Sequence, residues 1–386
     1  MDSSFLSVRC VCRRLFNLMK DRSLWYRDTL EAHNDLPPKL LLQVMGMSSN
    51  MLTHLDTSFC LSVTDEFLAC LISKCRRLCH INIAGCSLVT DAAIRLVADA
   101  VKNLRTLIIN ECRLITCGAI LDAVTAHKAS LQRLEMARCL GMRQDPYKVG
   151  YIAEHCANVK YLNICWFSNY SEHAPILDMD VCKYAMLCPF LVSLDLGHTH
   201  ATDHCLEVVA GCCKNLETLS MAQCFVTDVG LTKIGRGLNK MKSLNLADGQ
   251  HFGDAGMFTI YRELKALEYL NLTRCFRLTN QCIQNVLIEL PALKTLILKQ
   301  CYKLDDSGLH HLLIRNTSPR LYYLDASSTL ITKALIDRIR QARQQLVINY
   351  QDCPYTRHVD CSQWGDFDAH AAALSTFGLF EDRHSE

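Results

Sequence analysis

The sequence predicts an α/β solenoid, with parallel strands on a concave face and helices on a convex face, and three observations predict it. A phrase of about 26 residues recurs roughly eleven times, with clear copies starting at Leu52, Leu78, Leu104, Leu131, Leu216, Leu267 and Leu293. Each copy reads L-x-x-L-x-(L/I/M/T)-x-x-C, then a short polar turn, then an apolar helical stretch. Aligned, the copies bring Cys60, Cys86, Cys112, Cys139, Cys224, Cys275 and Cys301 to one position. Fixed-period self-similarity of this length marks a chain that grows by stacking identical units, not around one central core.

One copy shows how each unit folds. In Leu78 to Cys86, the alternation around Ile81 and Ile83 is that of a strand with one buried face, which turns His80, Asn82 and Ala84 the other way. Thr90 is a good helix N-cap, and Asp91 places negative charge at the positive end of the helix. Ala93, Ile94, Val97 and Val101 then form an apolar helical stripe. Thr-Asp recurs at Thr64-Asp65, Thr202-Asp203 and Thr227-Asp228, varied to Thr279-Asn280 and Asp305-Asp306. We read the motif as capping. Because helices are wider than strands, the stack should curve with its sheet inside. This is the leucine-rich-repeat horseshoe, expected over residues 36–350.

Copies are spaced 25 to 28 residues apart, except for 32 between Val159 and Leu191. The surplus includes the polar run Ser168 to Pro175, expected as a surface loop. The usual cap is lost around Gly141 to Pro146. Thr199, Gly249 and Thr329 replace the cysteine in weaker copies, and Phe167 in the stretched one. Residues 351–386 have no repeat register and are expected to cap the solenoid or fold back over its concave face.

Composition excludes several classes. With 41 basic and 39 acidic residues the formal charge is +2, so no whole-molecule field draws nucleic acid or an anionic membrane. No apolar run approaches the ~20 residues of a membrane span. No basic and then apolar leader opens the chain, and its last residues are not a prenylation box. The 23 cysteines fall largely one per copy, as small buried hydrophobes would. So many thiols indicate a reducing compartment, cytoplasmic or nuclear, and disfavour a secreted receptor.

No nucleophile elbow, zinc-protease helix, phosphate-binding loop or dinucleotide fingerprint occurs, so neither catalysis nor a cofactor is expected. Cys353, His358 and Cys361 fit no closed four-ligand pattern, so no metal is expected. The informative surface is the sheet. Residues two, four and six places after the first leucine should face the concavity, including His80, Arg133, Glu135, Tyr161, Asn163, Tyr269 and Asn271. At the strand ends lie Arg138, Trp166, Phe225, Arg274, Phe276 and Tyr302, with Trp166 and Arg274 the strongest candidates. Aromatics and arginines together are the composition of a protein-binding hot spot.

Residues 5–30 stand outside the repeat. Val8 to Trp25 suggests an amphipathic helix, a turn and a large aromatic, and it resembles the second half of an F-box. Val11, Cys12, Arg13, Leu18, Asp21, Leu24 and Trp25 match that motif, with Phe16 or Leu15 in place of its first tryptophan. The helix that normally opens the motif is not found ahead of these residues; Asp35 to Val44 has similar wording but follows Trp25. Joined to cysteine-containing repeats, residues 1–35 make the chain similar to the F-box and leucine-rich-repeat family. The resemblance implies a non-catalytic substrate receptor of a Skp–cullin–F-box ubiquitin ligase. Val11, Cys12, Leu18, Leu24 and Trp25 would then touch a Skp-type adaptor, which links to a cullin, and the repeats would hold a protein target. A repeat scaffold or decoy that binds proteins without the adaptor is the alternative.

Overall fold

The computed structural model describes residues 29–31, 52–144, 148–166, 176–314 and 317–351. The F-box-like positions Val11, Cys12, Leu18, Leu24 and Trp25 lie outside these residues. So do the Ser168 to Pro175 run, Phe167, and the tail with Cys353, His358 and Cys361.

Thirteen three-residue strands among the described residues form one sheet in strict chain order. They are β1 Thr29–Glu31, β2 His54–Asp56, β3 His80–Asn82, β4 Thr106–Ile108 and β5 Arg133–Glu135. Next come β6 Tyr161–Asn163, β7 Ser193–Asp195, β8 Thr218–Ser220 and β9 Ser243–Asn245. The last are β10 Tyr269–Asn271, β11 Thr295–Ile297, β12 Tyr323–Asp325 and β13 Val347–Asn349. Every pairing is parallel, as in Arg133↔Tyr161↔Ser193↔Thr218.

Helices fill the intervals: α1 Asp65–Lys74, α2 Asp91–Ala100, α3 Cys117–Ala126, α4 Val149–Ile152, α5 Asp178–Leu187 and α6 Asp203–Cys212. After them follow α7 Asp228–Gly237, α8 Asp254–Glu263, α9 Asn280–Glu289, α10 Asp306–Leu309 and α11 Lys333–Ala342. The chain is an α/β leucine-rich-repeat solenoid. Its sheet starts at Thr29, inside the 1–35 segment that the sequence set apart, and β13 extends it at the other end. The leucine–cysteine phrase locates eleven turns, but strand pairing uses backbone groups alone, so end turns can join without the phrase.

The core is one continuous column. Leu55, Ile81, Leu107, Leu134, Leu162, Leu194, Leu219 and their successors point inward at the middle of each strand and are almost fully buried. Helix stripes such as Ala93, Ile94 and Val97 meet them from the other layer. At roughly 25 cal/mol per Å² of apolar surface, this column is the dominant stabilising term.

The recurring cysteine is more than a small hydrophobe. Cys112 donates its thiol to the Ile83 carbonyl of the preceding repeat at 3.1 Å, Cys139 to Ile109 at 3.0 Å and Cys301 to Leu272 at 3.0 Å. Each bond gives a second donor to a carbonyl that already accepts a backbone N–H where the chain leaves the strand. Thr199 and Thr329, the replacements, turn their hydroxyls to carbonyls within their own repeats instead.

Two places after the strand's last alternating residue the chain bends sharply. Residues there take positive φ in repeat after repeat, as at Glu111 (62°), Arg138 (59°) and Arg274 (57°). The Thr-Asp pairs do cap, but they also couple neighbours. Thr90 accepts a hydrogen bond from Ala92 N–H of its own helix and donates its hydroxyl to Asp65 of the repeat before. Thr279 makes no side-chain cap bond to its own helix and gives its hydroxyl to Asp254.

Candidate protein-binding face

The sheet brings residues of the central repeats side by side at the 4.8 Å spacing of parallel strands. Four places after the first leucine, Glu135, Asn163, Asp195 and Ser220 form a continuous row. All four are nearly buried, so in mid-sheet this row is recessed instead of freely exposed, as the register alone suggested. In most strands with an Asn or Asp in this row, that side chain accepts the backbone N–H two residues on. Asn163 does so from Cys165 at 2.9 Å, Asp195 from Gly197 at 2.9 Å and Asn271 from Thr273 at 3.0 Å. These contacts turn the strand end and hold the side chains in fixed directions.

Burial makes the electrostatics of this row unusual. Burial raises the Asp195 carboxyl to about 6, with nearby Glu135 adding repulsion, against the Gly197 N–H and Ser220 hydroxyl that favour ionisation. His198, three residues on, is lowered to about 4, first by burial and then by the positive charge of Arg138. Burial therefore shifts both the carboxyl and the imidazole toward their neutral forms at the centre of the sheet.

A second set of charges surrounds them. Arg133 pairs with Glu135 at 2.6 Å and lies 5.7 Å from the Tyr161 ring centroid. Arg138 reaches back to Glu111 at 2.8 Å, and Arg274 to Asp248 at 3.0 Å. All four of these last residues occupy the positive-φ position, so each pair bridges equivalent bends in adjacent repeats.

Beyond the strand ends, apolar side chains stand on the rim. Leu88, Leu114 and Phe225 share one register through isolated parallel bridges to the preceding caps, and each is about half exposed. Phe225 lies between His200 and His251, with ring centroids 5.6 and 5.8 Å away. Farther along, Phe276 stacks on Tyr302 at 5.6 Å with planes 7° apart. Partly exposed stacked rings on a fixed backbone offer contact area at little entropic cost.

The structure sorts the residues singled out from sequence. Tyr161 and Phe225 are exposed, whereas Arg138, Tyr269, Arg274, Phe276 and Tyr302 are partly exposed. Trp166 is the correction. It occupies the bend register of the stretched repeat, yet only 1 % of its surface is exposed, and it belongs to the core. A large indole can fill space beneath the turn where a shorter side chain would leave a void. Arg143 lies 5.6 Å from its ring centroid. Sequence reading missed Asp195 and His198, which the register from Leu191 would have placed, and the leucines at 88 and 114, whose signal is an apolar residue in a polar turn.

No helix among the described residues is long and apolar enough to cross a membrane. No family model matches the chain, and no curated protein does so either. Among solved structures, the chain is similar to one in the crystal structure of the Rad7 and Elc1 complex from yeast. That match has a TM-score of 0.58 and 16 % identity, and covers 89 % of this chain and 90 % of the other. A chain of the TLR13–ssRNA13 complex matches with a TM-score of 0.49 and 16 % identity, over 79 % of this chain and 40 % of that one. At such identity the likeness concerns architecture alone: over nearly its whole length, this chain shares the fold of the matched chain of the yeast complex.

Proposed function

We propose that this chain is a non-catalytic receptor that holds a protein target on its sheet face and rim and presents it to a Skp–cullin ubiquitin ligase. The observation that carries the first half is the pairing of a rigid, charged strand row with an exposed aromatic rim. Arg133, Tyr161, Arg138 and Arg274 are held in place by ion pairs and ring contacts, and Phe225, Phe276 and Tyr302 stand along the rim of the same sheet. Pre-oriented arginines and aromatics lose little conformational entropy when a partner docks.

The second half rests on the F-box-like residues Val11, Cys12, Leu18, Leu24 and Trp25. Support also comes from the occurrence of a chain of like fold in a complex with a second protein, Elc1. Ubiquitin transfer would belong to the partner enzymes, and the receptor would contribute proximity alone. The free thiols of the described cysteines suit work in the cytoplasm or nucleus.

The test is co-purification of the whole chain with a Skp-type adaptor, beside a Leu24→Ala/Trp25→Ala variant. Binding that the variant loses supports the receptor reading. A folded chain that retains no adaptor, while still capturing a target through Arg274 and Phe225, would establish the scaffold reading in its place.

A further inference from the structure

On the helical side, away from the sheet, three side chains of metal-binding type converge between α5 and α6. A carboxylate oxygen of Asp178, the Cys182 sulfur and a ring nitrogen of His204 all lie within 4.8 Å of one another. Cys182 is buried and His204 is exposed, so the group reaches from the helix interface to solvent. We infer that Asp178, Cys182 and His204 form a binding site for a single zinc-class divalent cation, which clamps α5 to α6.

The repeat supplies its own comparison. Where another helix begins with an aspartate and the next repeat's cap is a threonine, the carboxylate accepts that threonine's backbone N–H with one oxygen and its hydroxyl with the other. Asp203, Asp254 and Asp306 all do this. Asp178 differs. Thr202 places both its N–H (2.7 Å) and its hydroxyl (2.9 Å) on the same oxygen, Oδ1. The other oxygen is thereby spared the threonine bond.

Ladder packing explains one neighbouring thiol but not the other. Cys205, in a side-chain hydrogen bond with Asp178, occupies the place that Cys282 holds near Asp254, each two residues after the first residue of its helix. Cys182 is at a different register, four residues after the first helical residue. In other repeats that place varies and includes the exposed Arg95, Glu207 and Phe258. Around Asp254 the equivalents of Cys182 and His204 are Phe258 and Gln281, so that interface has an acid and a thiol but no ligand set. The α5–α6 interface alone combines all three types among the described residues.

The chemistry fits zinc better than calcium or magnesium. A thiolate and an imidazole are borderline-to-soft ligands, and a carboxylate completes a common zinc set. Tetrahedral bonds of about 2.0–2.3 Å would bring the ligand atoms to roughly 3.5 Å apart, a closure of about 1 Å. The exposed His204 ring can supply that movement by rotating. Three protein ligands leave the fourth position to water. Binding requires Cys182 to lose its proton to solvent, so affinity should fall as pH is lowered. A bound ion would fix α5 at the end of the stretched repeat, where the preceding helix, α4, is only four residues long.

The experiment uses the whole chain, reduced and stripped with chelator, titrated with Co²⁺ and followed by its near-ultraviolet thiolate charge-transfer band, then with Zn²⁺ in competition. One equivalent should bind saturably. His204→Ala, at an exposed position, and Cys182→Ser should each weaken it by more than about tenfold, while Cys282→Ser should leave it unchanged. Circular dichroism confirms that each variant is folded. The site is overturned if no saturable equivalent appears, or if His204→Ala and Cys182→Ser bind as tightly as the parent.

Discussion

Asp91 of one repeat accepts both the backbone N–H and the hydroxyl of Thr116 in the next, each at 2.7 Å. The carboxylate thus organises the neighbour's helix start as well as its own. Because Thr116 makes no side-chain cap within its own helix, the inter-repeat bond is what its hydroxyl contributes. Asp91→Ala and Thr116→Val should each cost about 1–3 kcal/mol, and the double variant clearly less than their sum. Urea unfolding of the four proteins checks this; full additivity would mean that the pair is not coupled.

The cysteine ladder predicts selective reactivity. Burial raises Cys112, Cys224 and Cys301 to about 12, and each sulfur is hydrogen-bonded to a carbonyl. Thiolate is the reactive form, so these sites should resist alkylation in the native chain, while exposed Cys212 labels first among the described cysteines. Mass-spectrometric mapping with and without denaturant gives the order. Early labelling of Cys112 under native conditions would contradict the packing.

Trp166 should behave as a core residue. Trp166→Ala should destabilise by about 3–5 kcal/mol, as large-to-small core changes do. Its fluorescence should be shielded from aqueous quenchers. A stable variant with weakened target binding would return the indole to the rim.

Phe225 gives the opposite expectation. It is 52 % exposed, so Phe225→Ala should change stability by under about 1 kcal/mol while reducing target binding. Arg274→Ala should act alike, since its partly exposed pair with Asp248 adds little to stability. Thermal unfolding beside a target pull-down separates the two effects. Unfolding of either variant would make the rim structural.

The strand row predicts opposed pH dependences. Asp195 is raised to about 6, so the folded chain binds its proton more tightly than the unfolded chain does. Its contribution to stability is therefore greatest below pH 4 and falls as pH rises toward 6, by on the order of 3 kcal/mol. His198 is lowered to about 4. Its contribution is present above the unfolded value of about 6.5 and is lost as pH falls to 4. Asp195→Asn keeps the Gly197 contact type, as Asn163 and Asn271 show at equivalent places. It should be more stable than the parent near neutrality and lose that advantage toward pH 4. Urea midpoints across this range test the sign.

Much of this could be read from residues alone. The period gave the solenoid, the alternation around Ile81 gave the buried strand face, and Thr90-Asp91 gave a helix start. Each is local: a strand's in-and-out alternation and a helix cap depend on neighbours a few places away. The registers of Tyr161, Phe225 and Arg274 followed, because a repeat converts sequence spacing into position on a surface.

Contacts between repeats were decided by the tertiary structure. Only stacking shows that Cys112 bonds to Ile83, that Asp91 holds Thr116, or that Arg138 reaches Glu111. Burial likewise depends on what lies above a side chain, which is why Trp166 left the rim and the Asp195 carboxyl is raised to about 6. Asp178, Cys182 and His204 are separated by four and 22 residues and match no spacing rule. They become one cluster because two helices of successive repeats are packed side by side, a proximity that the linear chain does not record.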